Sequence, residues 1–89
     1  MTTTLIQSTL ADVQNFQRIA VSKGLTADLD CAPNYICVYF HDWSRNDVNG
    51  LTPHMTPFSL WNTESEDECK DFISKIEKFV SKWSPMVKA

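Results

Sequence analysis

The chain has 89 residues, of which 43 % are apolar, 11 % aromatic and 21 % charged, with only 2 glycines and 4 prolines. That profile fits one globular domain spanning 1–89 and excludes a low-complexity linker; no apolar run approaches the roughly 18 residues of a membrane span. The formal net charge is −3, and the acidic excess concentrates in residues 25–62, where Asp28, Asp30, Asp42 and Asp47 face Arg45 alone. No basic stripe is present to neutralise phosphates, so direct nucleic-acid binding and docking on anionic membranes are disfavoured, whereas a basic protein surface is a compatible partner.

The N-terminus, Met1-Thr2-Thr3-Thr4-Leu5-Ile6-Gln7, has neither the basic start nor the apolar stretch of a secretory signal. The three cysteines, Cys31, Cys37 and Cys69, are an odd and sparse set for a disulfide scaffold. They are expected as reduced thiols in a cytoplasmic protein, each acting as a small buried hydrophobe.

In chain order, residues 1–8 are expected to fray. A first helix is predicted over 10–23, with Thr9 as its N-cap and Leu10, Val13, Phe16, Ile19 and Ala20 on one stripe. Gly24 ends it, and Leu25 can fold back onto the last turn. Two strands follow at 26–31 and 35–40, joined by the turn residues Ala32-Pro33-Asn34. Residues 43–57 are polar and contain Asn49-Gly50, Pro53 and Pro57, which predicts a long loop. A third strand is predicted at 58–61. The last helix is expected to start at a capping box, Thr63 at the N-cap and Glu66 three residues on, and to stop at Ser84-Pro85. Its apolar stripe is Cys69, Phe72, Ile73, Ile76, Phe79, Val80 and Trp83.

The order α-β-β-β-α predicts an α+β fold, a three-stranded antiparallel sheet with both helices on one face. The helices would cover Ala27, Leu29, Ile36, Val38, Phe40, Phe58 and Leu60. Alternation then places Asp28, Asp30, Tyr35, Cys37, Tyr39, His41, Ser59 and Trp61 on the other face. Solvent-facing strands favour threonine, lysine and glutamate, so three large aromatics there point to a contact surface, or to a second small core under the long loop. Bases stack on such rings in RNA-binding sheets, but Asp28 and Asp30 repel phosphate.

Catalysis and metal binding find little support. Cys37 and His41 share a strand face but lie about 13 Å apart by strand rise, too far for a nucleophile–base pair. Cys31, Cys37, His41, His54 and Cys69 show no paired ligand spacing. Glycines at 24 and 50 alone exclude a phosphate-cradling loop. The cluster Glu64-Ser65-Glu66-Asp67-Glu68 reads as a solvated helix start, with an imitation of nucleic-acid phosphate as the functional alternative.

The expected contact residues are Asp28, Asp30, Tyr35, Tyr39, Asp42, Trp43, Asp47 and Trp61, with no catalytic residue, metal or cofactor. In size and style this architecture resembles many small phage and mobile-element proteins, which commonly act by binding a host protein; anti-CRISPR proteins are one such class. The resemblance implies a non-enzymatic inhibitor of a larger nucleic-acid-handling host complex, acting by steric or electrostatic blocking in the host cytoplasm. A homodimer-forming structural subunit is the alternative, with a small metal protein or enzyme behind it.

Overall fold

Ile6, Thr9, Val13 and Ala20 recur at helical spacing and all are buried, with Leu10 and Phe16 half-buried beside them. They belong to helix α1, Leu5–Lys23. The computed structural model describes residues 5–46, 53–61 and 65–85. Within them α1 is followed by β1 (Thr26–Ala32), β2 (Tyr35–Asn46), β3 (Pro53–Trp61) and α2 (Glu66–Lys82). This is an α+β fold, α-β-β-β-α. The helix begins earlier than the sequence predicted, because burying Ile6 extends the stripe by a turn. Thr9 is therefore an interior residue of α1 and not its cap.

α1 ends as its glycine requires. Gly24 adopts φ +113°, its N–H donates to Val21 O at 3.1 Å, and the N–H of Leu25 donates to Ala20 O at 3.0 Å. These two bonds form a Schellman motif, and the buried pair Leu25 and Ala20 supplies its apolar contact.

The sheet order is β1-β2-β3 and both pairings are antiparallel. Ile36, Val38 and Phe40 of β2 face the helices and are fully buried, and Leu60 of β3 joins them. Phe58 and Phe79 pack on Phe40, so β2, β3 and α2 meet in a three-ring cluster with centroids 5.4–5.8 Å apart. Ala27, Leu29 and Phe58 are only half-buried.

The strands run longer than the sequence suggested. β2 continues through Trp43, Ser44 and Arg45, and β3 starts at Pro53, so the expected loop over 43–57 shrinks from both ends. Asp42 pairs with His54 and Asn46 with Pro53, so residues 43–45 bulge from β2. Pro57 pairs with Tyr39 but sits on an outermost strand, where a missing N–H need not cost a ladder bond.

In α2 the cap is Ser65, whose Oγ accepts from the N–H of Glu68 at 3.3 Å. Ser65 and Glu68 thus stand where Thr63 and Glu66 were expected; Thr63 lies outside the described residues. The buried stripe of α2 starts at Cys69 and runs through Phe72, Ile76 and Val80. Glu66, Asp67 and Glu68 occupy its first turn, beside the positive end of the helix dipole. The C-termini of the two helices meet, and Lys23 Nζ donates to Val80 O at 2.6 Å. A lysine of α1 thereby satisfies a carbonyl at the negative end of α2.

Candidate functional site on the open sheet face

The pairings align the residues of the second sheet face in rows. Thr26, His41 and Met55 form one, then Asp28, Tyr39 and Pro57, then Asp30, Cys37 and Ser59, and last Ala32, Tyr35 and Trp61. Both helices pack on the opposite face, through the core just described. None of these row positions is a lysine or an arginine.

Aromatic residues mark both ends. Tyr35 and Trp61 stand opposite each other and their rings stack, with centroids 4.5 Å apart and planes inclined by 21°. At the other end Trp43 reaches over β1, and its indole N–H donates to Thr26 Oγ1 at 3.1 Å. Eight strand positions along β2 separate Tyr35 from Trp43, on the order of 25 Å. Trp61 is 58 % exposed and Trp43 53 %, with Met55 also exposed.

The two carboxylates are held in place by neighbours. Tyr35 donates its phenol O–H to Asp30 Oδ2 at 3.1 Å. That bond, together with the nearby negative charge, raises the phenol above its ordinary value. Asp28 Oδ2 lies 2.9 Å from His41 Nε2, an ion pair when the imidazole is protonated. Each carboxylate keeps further acceptor capacity. Cys37 is buried mid-face, in the row between those of Tyr35 and Tyr39.

Of the residues expected to make contact, Asp28, Asp30, Tyr35, Tyr39, Trp43 and Trp61 share this face. Asp42 does not. It is 3 % exposed on the helix side and accepts from Ser44 N at 2.9 Å, Ser44 Oγ at 2.5 Å, Trp83 Nε1 at 2.7 Å and the Arg45 guanidinium. Burial by itself would push this carboxyl up; the donors from Ser44, Trp83 and Arg45 outweigh it and hold it at about 2. Asp42 therefore ties the β2 bulge to the end of α2. Its place follows from strand alternation, one position beyond His41, once β2 is known to continue. Asp47 lies outside the described residues.

His41 and Met55 were not among the expected contacts. Period-two alternation from Tyr35 places His41 on the face, whereas Met55 needed the β2–β3 register. Among the described residues no cluster of three or more His, Cys, Asp or Glu side chains is placed to hold a metal ion. Comparison with protein-family models, with curated proteins and with solved structures finds no match.

Proposed function

We propose that this chain is a non-enzymatic protein-binding module whose open sheet face docks on a basic surface of a larger protein. The observation that supports it most is the composition of that face: two half-exposed tryptophans, a stacked Tyr35–Trp61 pair and two carboxylates, with no lysine or arginine in its rows. Tryptophan and tyrosine are enriched among the few residues that carry most of the binding energy at protein interfaces. Arginine or lysine of the partner would gain cation–π contact with the rings and would donate charge-assisted hydrogen bonds to Asp28 and Asp30.

Surfaces built to hold nucleic-acid phosphate are basic, so a face of this kind competes for them. The activity that follows is inhibition of a nucleic-acid-handling complex by steric and electrostatic blocking, of the anti-CRISPR kind, and it needs no catalytic group. The test is affinity capture from nuclease-treated host lysate with mass-spectrometric identification, comparing the wild type with Trp61→Ala and Tyr39→Ala, alongside light scattering. The expected result is a basic, nucleic-acid-handling partner held by a monomer and lost in both variants. Capture that survives both substitutions in folded protein overturns the reading. A dimer that Trp61→Ala splits would replace it with self-association through the same face.

A further inference from the structure

We propose that the outer edge of β1 is a strand-addition site for an extended segment of a partner protein in which basic and apolar residues alternate. This rests on the reading of the chain as a protein-binding module, and it names the chemistry of what is bound.

The sheet has two outer edges, one along β1 and one along β3, and they differ. The turn Pro33-Asn34 closes a two-residue hairpin on the pair Ala32 and Tyr35. Counting by alternation from that hydrogen-bonded pair, Ala27, Leu29 and Cys31 direct their N–H and C=O groups away from β2. The contact from Gln17 Nε2 to Ala27 O, at 3.4 Å from α1, agrees with this direction. A single side-chain amide thus occupies a place that the N–H of a fourth strand would take. β1 contains no proline. On β3 the same alternation points Pro53 and Pro57 outward, and both lack the N–H that a new strand would need. Natural sheets guard edges in this way, and here prolines guard the edge along β3, while along β1 the Gln17 amide covers Ala27 O and the strand carries no proline.

The side chains of β1 then specify the occupant. On the open face Asp28 and Asp30 project from this edge, and the Asp28 side chain is 80 % exposed. A partner strand would set alternate residues directly beside them, which favours lysine or arginine. On the helix face the neighbours are half-buried Ala27 and Leu29 and exposed Cys31. Beyond Cys31 a cavity of about 260 Å³ opens, lined by Ile6, Leu10, Ala32 and Ile36 among others. The intervening residues of the partner would be apolar, with one side chain seated there. A second copy of this chain fits poorly, since antiparallel pairing about Leu29 sets Asp28 and Asp30 against the aspartates of the other copy. Strand addition of this type draws affinity from main-chain bonds and specificity from alternate side chains.

The experiment is a titration of the isotope-labelled full chain, followed by amide NMR, with a capped heptapeptide of alternating lysine and valine. A block peptide of the same composition serves as control. The expected result is shifted, slowly exchanging amides at Ala27, Leu29 and Cys31, and weaker binding of the block peptide by roughly tenfold. Asp28→Asn with Asp30→Asn, which leaves the strand backbone intact, should weaken the alternating peptide. Equal binding of both peptides, or shifts confined to the Trp43 and Trp61 indoles, overturns the proposal. If the peptide fails while Trp61→Ala still abolishes partner capture, the edge proposal falls and the face reading stands. The reverse pair of results rejects the face and keeps the edge.

Discussion

The indole N–H of Trp83 donates to Asp42 Oδ2 at 2.7 Å, joining the end of α2 to the middle of β2 across 41 positions of sequence. Asp42 →Ala would leave the Trp83, Ser44 and Arg45 donors without this acceptor. The expected loss is about 3 kcal/mol of stability, measured by urea denaturation. Trp83→Phe keeps the ring and removes one donor, so about 1–2 kcal/mol is expected. Because the residues are in contact, the double variant should cost less than the sum, and strict additivity would argue against a shared bond.

The same carboxylate sets an acid limit. Its folded-state value, about 2, lies below that of an unfolded aspartate. The stabilisation is therefore complete above roughly pH 5 and is lost as the pH falls through 4 toward 2. Its size is on the order of 2 kcal/mol. Stability measured from pH 6 to pH 2 should fall more steeply in the wild type than in Asp42→Asn, and parallel curves would contradict this assignment.

At Gly24 the backbone conformation restricts the residue. Its added Cβ would meet only Trp83 at an ordinary 3.8 Å, so space is not the obstacle. The positive φ is. Gly24→Ala should cost about 1–2 kcal/mol, read as a lowered melting temperature.

Ser65→Ala removes the side-chain acceptor at the start of α2. About 1 kcal/mol of stability should go with it, checked by thermal unfolding. An unchanged midpoint would mean that the acidic first turn and the buried stripe suffice to begin the helix there.

Trp61→Ala separates folding from docking. Trp61 is 58 % exposed and packs mainly on the Tyr35 ring, so stability should change by about 1 kcal/mol or less. Partner capture should be lost with the far-ultraviolet circular dichroism unchanged. A collapse of the fold would instead assign Trp61 to the structure of the sheet.

Most of the architecture was legible because it rests on local periodicity. The stripe from Cys69 to Val80 can bury one side only as a helix, and the alternation from Tyr35 to Phe40 only as a strand. The boundaries were harder. Ser65-Glu66-Asp67-Glu68 and Thr63-Glu64-Ser65-Glu66 both fit a capping box, so the pattern alone does not choose between them. The continuation of β2 past Phe40 was hidden by polar residues and by Pro53 and Pro57. Prolines are admissible in β3 because it lies at a sheet edge, which no local pattern reveals.

By itself, the sequence determined the element order, the antiparallel hairpin and the opposition of an apolar face to one carrying Asp28, Asp30, Tyr35, Tyr39 and Trp61. Those follow from side-chain periods of 3.6 and 2 and from turn chemistry acting over a few residues. Only the tertiary structure decided that Asp42 is a buried latch while its neighbour Trp43 is exposed, that Tyr35 stacks on Trp61, and that the sheet edge without proline is the one along β1. Each of these depends on register between segments far apart in the chain. A shift of one residue in that register would send every side chain of the strand to the opposite face.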